Sequence, residues 1–240
     1  MKPKVICHIM CSVDGHIQVE RWTKPADGTP KSEMMKIYSE IGRTLSTDAW
    51  TFGKNTVCDI FPDKTLAFLN AQEDKVKDAP INKISVFFGK RSSKRMFISF
   101  DPQANIVYTA SQLRGDDILV VLDMGTATSR YLSYLREMSI SYLVVENITQ
   151  LDDVLQTINK EFDIRSISLQ GGGILNGSML NNGMIDELSL VVYPGLDCQK
   201  DSISIFDGTI AEFVAKKTLN LLNVQQKKNG VVWLRYKVNN

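Results

Sequence analysis

The chain has 240 residues, 43% hydrophobic and 23% charged, and its formal net charge is +1. These values are ordinary for a globular protein, and no charge excess points to nucleic acid or an acidic membrane surface. No run reaches the roughly 18 apolar residues of a membrane span, and Met1-Lys2-Pro3-Lys4 leads into a strand-like run rather than a signal peptide, so the cytoplasm is expected. Cys7, Cys11, Cys58, Cys198, His8 and His16 show no metal-ligand spacing, so no metal site is expected.

Residues Lys4 to Met10 read as a buried strand, and Ser12-Val13-Asp14-Gly15 follows as a turn. Residues 18 to 31 read as a polar surface loop with Trp22 in it. Ser32 can cap a helix from Glu33 whose apolar face is Met34, Ile37, Ile41 and Leu45. A short strand, Ala49 to Phe52, runs into the turn Gly53-Lys54-Asn55-Thr56, and residues 62 to 82 carry no clear pattern. Strands are expected at Ile84 to Phe88, Met96 to Phe100, Ile118 to Leu122, Ser141 to Val145 and Ser166 to Leu169. Helices are expected around Tyr131 to Met138 and over Leu151, Val154, Leu155, Ile158 and Phe162. After Gly171-Gly172-Gly173 comes a short helix with Gly183 at its C′ position. Glu187 to Tyr193 is a strand, and Leu219 to Val224 and Val231 to Val238 form a hairpin around Asn229-Gly230.

This alternation predicts one α/β domain over residues 1–240, with a mainly parallel central sheet, helices on both faces and a C-terminal antiparallel hairpin.

Three turns could carry chemistry. Gly171 to Gly173 join a strand to a helix, so bare backbone N–H groups and the positive end of a helix dipole would meet an anion such as a phosphate. A tight turn without ligand explains the same glycines equally well. Gly53 to Thr56 also sit at a strand's carboxyl end, where open α/β sheets bind ligands; the plain alternative is a helix capped by Asn55 or Thr56. Asp14 could bind a substrate amine or relay a proton, or simply hold its own turn. Trp22 could stack on a ring or anchor its loop.

Taken in order, Asp48-Ala-Trp-Thr-Phe-Gly-Lys-Asn-Thr56, Tyr131-Leu-Ser-Tyr-Leu-Arg-Glu137, Gly171-Gly-Gly-Ile-Leu-Asn-Gly-Ser178 and Met184-Ile-Asp-Glu-Leu-Ser-Leu190 resemble the reductase domain of bacterial riboflavin biosynthesis. Cys11-Ser-Val-Asp-Gly15 fits the same pattern, and the resemblance covers nearly the whole chain. It implies a dihydrofolate-reductase-like fold and an NADPH-dependent reductase, usually a homodimer with its C-terminal strands in or near the interface. By that carry-over Gly171, Gly172, Gly173, Ile174 and Leu175 would cradle the cofactor's phosphates, and Gly53 and Thr56 would line the same groove. Leu122, with the loop through Asp123 and Gly125, would hold the adenosine side; Ser129 and Arg130 are candidates for a 2′-phosphate by their position alone and not by the resemblance. Ser12, Gly15, Trp22 and Gln170 would border the substrate, and Asp14 would handle the proton.

The chain departs from the pattern on the substrate side. Gln170 stands where glutamate is common, Ile60 where an aspartate is usual, and no arginine matches between Pro62 and Gln72. The expectation is therefore reduction of a small heterocycle, by default 5-amino-6-(5-phosphoribosylamino)uracil. The alternatives are a pterin, folate or flavin substrate, or NADPH binding without catalysis.

Overall fold

The computed structural model describes residues 1–61, 79–208, 210–214 and 216–239. The elements are, in chain order, β1 (Lys4–Ser12), α1 (Lys31–Thr44), β2 (Ala49–Phe52), α2 (Lys54–Ile60), β3 (Ser85–Phe87) and β4 (Met96–Asp101). They continue with β5 (Gln112–Leu113), β6 (Asp116–Asp123), α3 (Ser129–Glu137), β7 (Ser141–Val145) and α4 (Leu151–Phe162). Last come β8 (Ser166–Leu169), α5 (Gly173–Asn181), β9 (Glu187–Tyr193), α6 (Ala211–Val214), β10 (Thr218–Gln226) and β11 (Val232–Asn239). Among the described residues no helix is long and apolar enough to cross a membrane.

The chain divides into two compact units, one of residues 1–3 and 48–165, the other of residues 4–47 and 166–240. In the first unit β2, β4, β6 and β7 pair in parallel, and β3 and β5 add antiparallel to β7 and β6. Every residue of β4 and β7 is buried, which is why both read as near-continuous apolar runs. Their core holds Trp50, Phe97, Tyr108, Leu122, Tyr131 and Leu135 among others. Trp50 Nε1 donates to Asp116 Oδ2 at 2.7 Å, so its polar atom is satisfied where the ring is buried.

In the second unit β1 pairs in parallel with both β8 and β9, β11 pairs antiparallel with β9, and β10 with β11. This is the mainly parallel α/β fold with a terminal antiparallel hairpin that the sequence predicts. His8 lies fully buried on β1, and its two ring nitrogens meet Ser189 Oγ at 3.0 Å and the Tyr38 carbonyl at 3.1 Å. The Trp233 indole donates to the same serine at 2.9 Å. A polar chain is thereby closed inside an apolar sheet, so none of these groups is left unpaired.

Several expectations are corrected. Helix α1 starts at Lys31 with Pro30 at the N-cap position, not with Ser32 as cap; proline fixes φ for the helix entry, and the Lys31 ammonium donates to the Val19 carbonyl at 2.5 Å. Helix α2 is capped by neither Asn55 nor Thr56: Gly53 occupies its N-cap position, without a side-chain hydrogen bond. The stretch searched for a substrate arginine, residues 62–72, lies outside the described residues.

The hairpin contains a bulge between Leu221 and Asn223. This extra residue keeps Leu219, Leu221 and Val224 on the face that carries Leu234 and Tyr236 of β11, opposite which Leu190 of β9 also pairs. Without the bulge, Val224 would turn to the other side. Leu219, Leu221, Leu222 and Val224 are 53%, 56%, 52% and 54% exposed.

Candidate functional site

The corner between β8 and α5 lies in the second unit, and its three glycines have three different physical reasons. Gly171 has φ +99, which side chains rarely tolerate. A Cβ on Gly173 would stand 2.6 Å from the Ser204 carbonyl oxygen, so backbone approach excludes one there. Gly172 has neither constraint: its φ is −72, and nothing lies within 4 Å of the place a Cβ would take. Packing explains two of the glycines and leaves Gly172 facing open space.

Helix α5 begins there with no side-chain cap and no acidic residue in its first turn. The Asn176 N–H donates to the Gly172 carbonyl at 3.1 Å, so the N–H groups of Gly173, Ile174 and Leu175 precede the helix's own ladder. Ile174 is 69% exposed. Gln170 is half-buried, and its amide donates to Ser168 Oγ at 3.2 Å.

A strap over residues 203–208 runs along α5. Asp207 N–H donates to the Gly173 carbonyl at 3.0 Å, and Asn176 Nδ2 to the Ile205 carbonyl at 2.9 Å. The strap also meets the Asp14 turn, since His16 and Ser204 form an antiparallel bridge and Ile17 N–H donates to the Ile203 carbonyl at 3.0 Å. The structure thus brings the expected Ser12 to Gly15 turn and the triple glycine to one strap. Nothing in the sequence marks that strap, because its contacts are made by backbone.

Asp14 holds a neighbouring loop. Its carboxylate accepts from the backbone N–H of Cys198 at 2.8 Å and of Asp197 at 3.1 Å. The Ser12 hydroxyl, together with the Cys198 and Asp197 N–H groups, holds this carboxyl well below the usual carboxylate range. So held, the carboxylate is ionised at neutral pH, and its hydrogen bonds serve the turn and the loop beside it. Holding the turn is therefore the role that the geometry gives Asp14. Because its folded value lies below its unfolded one, the stabilisation is present above the ordinary carboxylate range and is lost as pH falls through the folded value. Asp14→Asn is expected to lower the urea midpoint at about pH 7, and the gap from the parent is expected to close towards about pH 2. Equal midpoints at neutral pH would contradict the clamp.

Ser12 is fully buried, and its Oγ accepts from His16 N–H at 3.1 Å. Gly15 has φ +84, as the turn requires. Trp22 is 3% exposed and packs on Tyr193 at 4.8 Å between ring centroids, which makes it a loop anchor rather than a stacking platform. Burial and the nearby Asp14 charge push the Cys11 thiol up to about 12, so it is an inert core group.

The remaining expected residues lie in the first unit. Gly53 precedes α2, and Thr56 is half-buried in its first turn. Leu122 is fully buried near the carboxyl end of β6, so only its backbone could meet a ligand. Asp123 accepts from Gly125 N–H at 2.8 Å and from Ile148 N–H at 2.9 Å, which orders that loop. Ser129 Oγ accepts from the Ala79 N–H at 3.0 Å, and Arg130 opens the same helix. Sequence reasoning missed Lys54, whose ammonium lies 3.2 Å from the fully buried Asp101 and donates to Asn105 Oδ1 at 2.7 Å and to Gln103.

A model of the RibD C-terminal domain matches residues 3–233. No curated protein sequence matches the chain. Among solved structures, a pyrimidine reductase-like protein from Corynebacterium diphtheriae is similar with TM-score 0.64 and 16% identity, over 99% of this chain and 92% of that one. RibD from Acinetobacter baumannii follows with TM-score 0.62 and 18% identity, and this chain, 99% covered, spans 58% of its length. The riboflavin biosynthesis reductase Rib7 from Saccharomyces cerevisiae gives TM-score 0.59 and 14% identity, over 99% of this chain and 90% of that one. At these identities the likeness is one of fold.

Proposed function

The chain belongs to the RibD C-terminal domain family, a family of reductases, and from that premise we propose that it is an NADPH-dependent reductase of the riboflavin pathway. The proposed substrate is 5-amino-6-(5-phosphoribosylamino)uracil. The observation that carries the cofactor assignment is the open space at Gly172, beside the uncapped and acid-free start of α5. Those features fit a phosphate group: N–H donors, the positive dipole end and room for close approach meet at one point. Gly171, Gly172, Gly173, Ile174 and Leu175 would hold it. When bound, the dihydronicotinamide supplies the hydride. This chain's own part is to grip the phosphates and to hold the turn at Ser12 to Gly15 in place through Asp14.

The test is loss of NADPH absorbance with the ribosylamino-pyrimidine phosphate, run beside a dihydropterin, dihydrofolate and a flavin. Turnover of the first alone supports the proposal. A second reading, reduction of another heterocycle, is favoured by Gln170, whose neutral amide cannot replace a glutamate as acid or base. Turnover confined to another substrate in the panel would establish it.

We also propose a homodimer. On β9 itself Leu188 and Val191 are 7% and 0% exposed, covered between β1 and β11. The apolar surface lies instead on β10, continued by half-buried Leu190 and Leu234. A row of exposed leucines on a sheet edge is otherwise an aggregation hazard. Leu221→Lys is expected to yield monomers by light scattering after size-exclusion chromatography. A parent protein that is itself monomeric would contradict the dimer.

A further inference from the structure

We infer that His16 is the proton donor of this site, its imidazole steered by the Asp14 carboxylate toward the ligand held at Gly171 to Gly173. The inference rests on the reductase reading above.

The backbone of His16 accounts for its place in the fold. Its N–H donates to Ser12 Oγ at 3.1 Å, its carbonyl accepts from Ser12 N–H at 2.9 Å, and it bridges Ser204. The imidazole takes part in none of these bonds. Its Nδ1 lies 3.4 Å from Asp14 Oδ2, an ion-pair distance, yet that buried nitrogen completes no hydrogen bond. The side chain keeps 25% of its surface exposed. Ser204, the bridge partner, is also the residue whose carbonyl presses on Gly173. One strap therefore ties the backbone of His16 to the glycine corner.

Among the described residues, Asp197 stands on the loop that the Asp14 carboxylate holds. Asp14 stands on its own turn, and Asp207, which accepts from Ser204 Oγ at 3.0 Å, stands on the strap. Cys198, on the loop that Asp14 holds, turns its N–H to that carboxylate rather than to the histidine. The Asp14 carboxylate stands beside Nδ1, which leaves Nε2 as the ring nitrogen to meet a ligand.

When bound, the nicotinamide cofactor would supply the hydride to the carbon of a substrate C=N or C=O. His16 Nε2 would give its proton to the heteroatom that receives the π pair, and the neutral imidazole would regain one from water.

The chain has two histidines, so its imidazole proton NMR spectrum holds two C2–H signals. His8 is fully buried with both nitrogens engaged. His16→Gln identifies the other signal by removing it. That signal is expected to shift in Asp14→Asn and to move when NADP⁺ is added. With the ribosylamino-pyrimidine phosphate, His16→Gln is expected to lower kcat by about 10²–10³-fold at unchanged NADPH affinity. A His16 signal indifferent to NADP⁺ that nonetheless stabilises the protein overturns the inference and spares the reductase reading. An unchanged kcat in His16→Gln overturns it as well. If NADP⁺ causes no thermal stabilisation at all, the reductase reading falls and this inference with it.

Discussion

Gly172→Asp is expected to fold normally and to lose NADPH binding. The fold survives because the position has φ −72, within the range of any residue, and no atom lies within 4 Å of the new Cβ. Binding is expected to fail because a carboxylate would stand at the proposed phosphate site. Two like charges about 4 Å apart repel by roughly 1 kcal/mol in water and 4 kcal/mol near a protein surface. The second figure converts to an affinity loss approaching a thousandfold. Gly172→Ala is the control: it adds bulk without charge and is expected to lose far less. Calorimetric titration with NADPH reads both variants. Equal affinity in parent and Gly172→Asp would reduce the glycines to a turn.

Gly177→Ala carries the largest expected cost in stability. A Cβ there would lie 1.9 Å from the Asp207 carbonyl oxygen, so either α5 or the strap must move. Overpacking of a rigid contact costs about 1–3 kcal/mol, and a clash with backbone belongs at the upper end. For a chain of this size that is a fall in Tm of roughly 6–12 °C. The displaced strap carries Ser204, so His16 and the glycine corner are expected to lose their registration and NADPH affinity to fall as well. An unchanged Tm would show that the strap does not pack on α5.

The parallel strands and their helices were legible because each carries its signal locally. Residues Ser141–Val145 hold an apolar run of four after the serine, and all five are buried. Helix α4 repeats its apolar residues at helical spacing, and Leu151, Val154, Leu155, Ile158 and Phe162 are all buried. Gly183 at φ +67 closes α5 as its place after the last helical turn implied. The site was less legible, because its decisive contacts join distant segments through backbone. Asp14 and the Cys198 N–H it holds are 184 residues apart in sequence. Gly173 reads in sequence as a turn or ligand glycine, whereas a passing carbonyl excludes a side chain there and at Gly177. His16 looked unremarkable because its fold role is played by its backbone. The bulge at Leu221 is likewise invisible to a strict alternation rule.

The central claim is that the corner at Gly171 to Gly173 holds the phosphates of a nicotinamide cofactor. A thermal-shift titration of the wild-type chain with NADPH, run in parallel on Gly172→Asp, tests it most directly. A ligand at 100 times its Kd stabilises the folded state by about 2.7 kcal/mol, a rise of roughly 5–11 °C for a chain of this size. The account predicts that rise in the parent and none in the variant. No rise in either, or the same rise in both, would contradict it.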